Sequence, residues 1–435
     1  MRAPTRASHN QPETAPRRRG SYRGMVPVAA LSAAALTAAA VAGCSSSSTG
    51  TSGSTGGGSA GGSASGSTYT INVIVSETGS ASFLGSEEAA ALKAFAQHVN
   101  ATGGIDGHSL SFNISDNQST ASTSISLASP LVSQSPMLLV GSLTTTDSPV
   151  DDLATSGGPV IYDLSPGDHP KPGSFVYSSS NSTTNQIQSF INFAESKGWK
   201  RIAAITSTDA SGQDGWNNIQ KAVAGTGGGV TISDHETFEP TAVSVTTELS
   251  KIKASNPQAL LIWTTGTPLG TVLKGMQGLG LDSLPTMTTN GNASYAEMQR
   301  LAAELPGQLY FPGAPFMAGP ANLTGQTKSQ VQAFDTAMQA AGQKVPDEGD
   351  ALAWDPGLIL VSALRKLGPS ATASQIHQYI DGLASFAGIN GTYNFTDKSI
   401  PDNRGLTITS VYVAEWNKSQ GDWTAASGPA GKGNP

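Results

Sequence analysis

Ala94–Phe112 reads AFAQHVNATGGIDGHSLSF, and within it a helical period gives way to a strand. Leu92, Phe95, Ala96 and Val99 fall at i, i+3, i+4 and i+7, one face of a helix over Glu87–Asn100. Gly103 and Gly104 stop that helix, and Leu110–Ile114 enters a strand. Upstream, Ile71–Val75 is an apolar strand with a buried inner face. Strand, helix and strand in that order make a βαβ unit and predict a parallel sheet.

The alternation continues outward. A helix over Ser122–Val132 precedes a strand at Met137–Val140, and a helix near Pro149–Thr155 precedes a strand at Pro159–Ile161. It then begins again, with helices over Ile187–Lys197, Gln213–Val223, Thr247–Ala254 and Gly270–Gln277 between strands at Arg201–Ile205, Val230–Ser233 and Ala259–Trp263. Two successive α/β runs predict two similar lobes, and the polar SSSNSTTN (Ser178–Asn185) suits a crossing point between them. After Pro312 come helices over Ser329–Ala341, Asp350–Leu367 and Ala373–Leu383, then strands at Gly391–Phe395 and Leu406–Trp416. The chain is therefore expected to return to each lobe in turn.

The N-terminus carries a different message. Residues 1–43 hold six arginines, one acid and an apolar run from Met25 to about Val41, ending in Val41-Ala42-Gly43-Cys44. A basic region, an apolar region and a small-residue cleavage site make a secretory signal. Arg17–Arg19 raises twin-arginine export beside the general route, and the sequence leaves that open. VAGC resembles the bacterial lipobox, which implies a lipid on Cys44, the sole cysteine. Residues 45–67 contain only Ser, Thr, Gly and Ala, a composition that cannot bury enough apolar surface to order itself. They read as a tether, residues 44–67, between the anchor and a body starting near Thr68. Without the first 43 residues, 24 basic and 31 acidic groups become 18 and 30, a net charge of −12. A body that acidic disfavours nucleic acid as a partner.

With this order of elements, the body resembles the type I periplasmic-binding-protein fold, and looks most like the branched-chain amino-acid (leucine/isoleucine/valine) solute-binding family of ABC transporters. The motifs that carry the resemblance, in chain order, are Ala94–Phe112, SKGWKRIAAI (Ser196–Ile205), LKGMQGLGL (Leu273–Leu281) and GTYNFTDKS (Gly391–Ser399). The resemblance implies two Rossmann-like three-layer α/β/α lobes joined by a three-crossover hinge. The lobes would comprise residues 68–179 with 314–388 and residues 180–313 with 389–427, followed by a flexible tail, 428–435. Crossovers are expected near Ser178–Ser180, Phe311–Ala314 and Gly388–Gly391. It also implies a monomeric, surface-anchored lipoprotein that closes on a small solute and hands it to permease subunits. The same fold would serve a sensor that reports to a membrane partner.

Candidate ligand residues follow from the rule that open parallel sheets bind ligands outside the carboxyl ends of their strands. LTTTDSP (Leu143–Pro149) stands at such an end, with Ser148 a candidate N-cap, Pro149 at the first helical position and Asp151 three residues after the cap. Hydroxyls and free amides there suit a carboxylate, and the resemblance places the ligand's α-carboxylate on Thr144, Thr145 and Thr146. It likewise implies roles for Leu164 and Ser165, with Asp163 an extra carboxylate, and for Ser211, Thr265 and Thr267 on the second lobe. Where amino-acid binders commonly supply a glutamate for the ammonium group, this chain has Asn290. Losing a charge-assisted bond of about 1.5–3 kcal/mol leaves amino acids, amides, urea-like molecules and small acids all open as ligands. The scattered histidines His98, His108, His169, His235 and His377 show no metal-ligand spacing, and GTGGG (Gly225–Gly229) precedes a strand instead of opening a helix. No catalysis, metal or cofactor is expected.

Overall fold

The computed structural model describes residues 66–165 and 167–433, so Cys44, the signal segment and most of the tether lie outside the described residues. From Tyr69 the chain alternates β1 (Tyr69–Val75), α1 (Ser82–Ala101), β2 (Leu110–Asp116), α2 (Ala121–Ala128), β3 (Met137–Val140), α3 (Thr144–Asp151), β4 (Val160–Asp163) and β5 (Val176–Ser178). These strands form one wholly parallel sheet in the order β2-β1-β3-β4-β5. A second run follows: α4 (Thr183–Ser196), β6 (Arg201–Ser207), α5 (Ala210–Gly225), β7 (Thr231–Phe238), α6 (Thr246–Ala254), β8 (Ala259–Trp263), α7 (Thr267–Gly278), β9 (Thr286–Thr288), α8 (Tyr295–Arg300) and β10 (Leu309–Gly313). The chain returns as α9 (Gly325–Ala340), α10 (Glu348–Leu367) and α11 (Ala373–Asp381), and forms a small ladder of β11 (Phe386–Ala387) with β12 (Thr392–Tyr393). Next come β13 (Tyr412–Asn417) and β14 (Asp422–Ala425), which extend the second sheet antiparallel, in the order β14-β13-β10-β9-β8-β6-β7. The tail expected to be flexible from residue 428 instead turns at Pro429–Gly431 and packs on α4, where Ala430 O accepts from Asn192 Nδ2 at 2.8 Å.

Both faces of the central strands are covered, which is why they read as unbroken apolar runs. In β6, Ile202 and Ala204 enter one core while Ala203 and Ile205 enter another. In β1, Ile71, Val73 and Val75 face one side and Ile74 the other. The returning helices complete the first lobe. Trp354 of α10 meets Phe95 of α1 and Phe334 of α9 edge-on, both at 5.0 Å between ring centres. No helix among the described residues is long and apolar enough to cross a membrane.

Three passages join the lobes and are tied together. The first runs from β5 into α4. The second was expected at Phe311–Ala314, but a short turn at Pro315–Ala318 still packs on β13 and β14, so the chain leaves the second lobe only after Ala318. The third was expected near Gly388–Gly391, but the Ile389 and Asn390 amides are still held by Asp355 of the first lobe, so it lies between β12 and β13. The strand expected over Leu406–Trp416 starts only at Tyr412, because Ile408–Ser410 coils into a 3₁₀ turn. Tyr393 Oη lies 3.0 Å from Ser179 O and 2.9 Å from Asp355 Oδ2, within hydrogen-bond reach of both, while Arg404 Nη1 donates to Ser178 Oγ at 2.7 Å and Ser180 O at 2.8 Å.

Trp354→Ala removes the ring on which three helices of the first lobe converge. We expect a loss of about 3–5 kcal/mol in urea unfolding, with Trp354→Phe recovering part of it.

Candidate functional site

The two sheets turn their carboxyl ends toward a shared cavity of about 860 Å³. The first-lobe wall is built at the ends of β1, β2, β3 and β4. Among its polar residues are Ser80, Ser119, Ser142, Thr144, Thr145 and Ser165. Every one of them is a hydroxyl.

α3 begins one turn earlier than Pro149 suggested. Leu143 is extended (φ −124°, ψ 144°) and Thr144 is the first helical residue. Thr146 Oγ1 bonds to Leu143 O at 2.8 Å, closing the first turn, and Ser148 is bonded to Asp168 and so unavailable as a cap. Pro149 is accommodated as the sixth helical residue, where its missing N–H leaves Thr145 O without an intrahelical donor. The consequence is functional: the free amides of the helix start lie at Thr144 and Thr145, at the mouth of β3. Thr144 Oγ1 and Ser165 Oγ are 2.7 Å apart. Gly167 presses so closely on Thr144 that any Cβ there would collide with its hydroxyl.

Carboxyls stand behind this wall. Glu88 bonds to Ser142 Oγ, which also accepts the Ser76 amide at 3.2 Å; burial pushes Glu88 up to about 8. Asp147 and Asp163 are fully buried, and burial followed by neighbouring acids holds both well above the usual carboxylate range. Burial thus disfavours the charged forms of Glu88, Asp147 and Asp163, while Asp168, raised only to about 6, has Arg404 beside it to offset its charge. Among the described residues, no group of three or more His, Cys, Asp or Glu is arranged to hold a metal ion.

The second-lobe wall includes Asp209, Ser211, Trp263, Thr265, Thr267, Thr289, Lys274, Arg300 and the loop Pro240–Val243. Asp209 caps α5, accepting the Gly212 amide at 2.9 Å and the Ser207 hydroxyl at 2.7 Å. Thr265 and Thr289 hydroxyls are 3.1 Å apart. Asn292 pins this loop, accepting from the Gly266 amide at 2.9 Å and donating to Thr264 O at 2.7 Å. The lobes nearly touch here: a Cβ on Gly266 (φ 85°) would come within 3.0 Å of Ser80 O.

Of the residues expected from sequence, Thr144, Thr145, Ser165, Ser211, Thr265 and Thr267 line the cavity together. Thr146, Asp163, Leu164 and Asn290 do not. Thr146 is consumed by the helix start, Asp163 and Leu164 lie fully buried, and Asn290 Nδ2 donates to Glu348 Oε1 at 2.6 Å. Ser80, Ser119, Ser142, Trp263 and Thr289 were not singled out. Applying the strand-end rule to β1 and β2 as well would have found Ser80 and Ser119.

Beside the cavity His169 reaches across the lobes, its Nε2 3.3 Å from Asp214 on α5 and its Nδ1 3.1 Å from Asp402. Asp214 first, then Asp402, push its pKa up to about 9. A raised histidine contributes stability that is complete below its ordinary value of 6.5 and is lost as pH rises through about 9. Being partly exposed, the pair is worth about 1 kcal/mol or less. His169→Gln should therefore cost that amount in urea unfolding at pH 6 and nothing measurable at pH 10.

A family profile described as periplasmic binding protein matches residues 68–422. Solved structures share the fold. An extracellular ligand-binding receptor from Rhodopseudomonas palustris HaA2 is 19% identical with a TM-score of 0.71, over 83% of this chain and 100% of its own. The branched-chain amino acid transporter substrate-binding protein LivJ from Streptococcus pneumoniae, in complex with isoleucine, is 18% identical with a TM-score of 0.70, over 82% and 99%. An ABC-transporter solute-binding protein from R. palustris in complex with benzoate is 17% identical with a TM-score of 0.68, over 83% and 96%. A search of curated proteins finds no significant match.

Proposed function

Because the chain belongs to the type I periplasmic-binding-protein family, in its branched-chain amino-acid-binding group, we propose that it captures a small polar solute between its lobes and delivers it to an ABC importer. The family binds small molecules outside the cytoplasm and passes them to ABC permeases. The observation that carries the proposal is the 860 Å³ cavity, walled by the strand ends of both sheets and fronted by hydroxyls.

In this reading the solute's carboxylate or other acceptor end docks on the first lobe. It takes hydrogen bonds from Ser142, Thr144, Thr145 and Ser165 and from the amides that open α3. The second lobe then closes by hinge bending, bringing Ser211, Thr265 and Thr267 onto the other end. Isoleucine and benzoate, the ligands of two structural neighbours, share a carboxylate and differ in the ammonium group. The cavity wall has Asp209 already engaged as a helix cap and no glutamate at position 290, so amino acids, amides and small acids all belong in the ligand class. The protein works as a monomer, exported by its first 43 residues and held at the membrane surface by a lipid on Cys44.

A thermal-shift screen of the purified protein against amino acids, amides, urea and small acids tests the reading. A true ligand at about a hundredfold excess over its Kd adds about 2.7 kcal/mol of stability. Silence across the panel, with no compaction in scattering, would sink the binder proposal. Thr144→Val with Thr145→Val should weaken an identified ligand about five- to 150-fold, roughly 0.5–1.5 kcal/mol per lost bond, while the lost Thr144–Ser165 bond costs the empty protein about 1 kcal/mol. Cys44→Ser should release the protein from membranes into the medium; retention would remove the anchor.

A further inference from the structure

Four deeply buried acids lie where the lobes meet, behind the cavity edge formed by Leu84, Thr289 and Gly291. Glu87 stands on α1, and Asp347, Glu348 and Asp350 open α10, all on the first lobe. The second lobe meets them with the chain that follows β9. Asn290 Nδ2 donates to Glu348 Oε1 at 2.6 Å, Ser294 Oγ bonds to Glu87 Oε1, and the Tyr295 amide donates to Asp347 Oδ2 at 2.9 Å. In the reverse direction the Glu348 amide donates to Ala293 O at 3.1 Å.

This seam holds acids and no cation. None of the ion pairs within 4.0 Å among the described residues involves these four carboxyls. Glu87 Oε2, Glu348 Oε2 and Asp350 Oδ1 are buried without a hydrogen-bond partner. The other charged groups on the helices that meet here are engaged or distant. Glu88 bonds Ser142, Glu297 pairs with Arg300, Lys93 reaches Glu77, and Asp355 accepts the amides of Ile389 and Asn390. His98, Arg365 and Lys366 lie toward the C-terminal ends of α1 and α10. Crowded, desolvated carboxyls without a cation cannot all ionise. Burial, opposed by the Asn290 bond, moves Glu348 up to about 7, and burial with Asp347 and Asp350 holds Glu87 well above its ordinary value.

We propose that this seam is a proton-linked latch: closing the lobes seats Glu348 against Asn290 and Glu87 against Ser294 and takes up protons, so acid closes the cleft and alkali opens it. The proposal rests on the reading that the lobes open and close. Asn290 then acts on closure and not on the solute. Opening the seam removes its second-lobe partners and admits water, returning Glu348 toward its ordinary value of 4.5. A proton bound more tightly in the closed form favours closure fully below the open-form value, and that preference is lost as pH rises through about 7.

The test is a distance between spin labels on the full chain, with Cys44→Ser and with Lys93→Cys and Lys221→Cys placing one label on each lobe. Between pH 5.5 and 8 the open population should grow, by up to about tenfold per pH unit for each proton released. His169 also pairs across the lobes with Asp214 and would release its own proton on opening above about 6.5, so every labelled variant carries His169→Gln, which leaves the seam acids to account for the pH response. Glu87→Gln with Glu348→Gln keeps an acceptor for Ser294 and Asn290 but cannot titrate, and should stay closed at both pH values. Asn290→Ala should open the lobes at pH 5.5. An unchanged distance distribution across pH, or a Gln pair that still responds, overturns the latch. Isoleucine, benzoate and an amide serve as probes for the separate question. If a solute closes the labels and pH does not, only the latch fails; if nothing moves them, the hinge reading fails as well.

Discussion

A buried guanidinium holds the hinge together. Arg404 is 1% exposed, and its Nη1 and Nη2 groups donate to Ser178 Oγ, Ser180 O and Asp168 O, with Asp402 3.7 Å away. Taking a charge out of water costs several kcal/mol unless its donors are matched, so the chain must bring its first and third passages to the same place. Tyr393 adds a second tie, bonding Ser179 O and Asp355 together. Everything else about the cleft depends on these ties, because they decide how the two sheets present their strand ends to each other.

The cleft that results is asymmetric in its chemistry. The first-lobe wall offers hydroxyls and helix-start amides, and burial behind it raises the pKa values of Glu88 and Asp147. The second-lobe wall carries the cations, Lys274 and Arg300, near the rim, together with Trp263 and the apolar loop Pro240–Val243. In the proposed reading an anion is held there without any buried positive charge facing it. Backbone dipoles and hydroxyls supply the attraction, and they pay no desolvation comparable to that of an arginine.

Much of this was legible in the residues. The 3.6 and continuous-apolar periods located the βαβ units, and the strand-end rule located Thr144, Thr145, Ser165, Ser211, Thr265 and Thr267 on the cavity. Two kinds of detail were not. The start of α3 was misplaced because Ser148-Pro149 is a good local helix entry, yet the Ser148 hydroxyl is committed to Asp168, 20 residues on. The resemblance implies a ligand role for Asn290, at the strand end where amino-acid binders commonly have a glutamate. Its amide instead serves Glu348, 58 residues away and on the other lobe.

The sequence by itself determined the layered α/β architecture and the polar strand ends, because periodicity, glycine stops and strand-end hydroxyls depend on residues only a few positions apart. Tertiary structure alone decided which of those polar groups face the cavity and which are spent holding the lobes. A hydroxyl or amide is committed by whichever partner reaches it first in space, and those partners lie tens to hundreds of residues away: Ser294 to Glu87, Tyr393 to Ser179, Arg404 to Ser178. No local pattern encodes that allocation, since each side chain can make either bond and only the packing of two lobes says which.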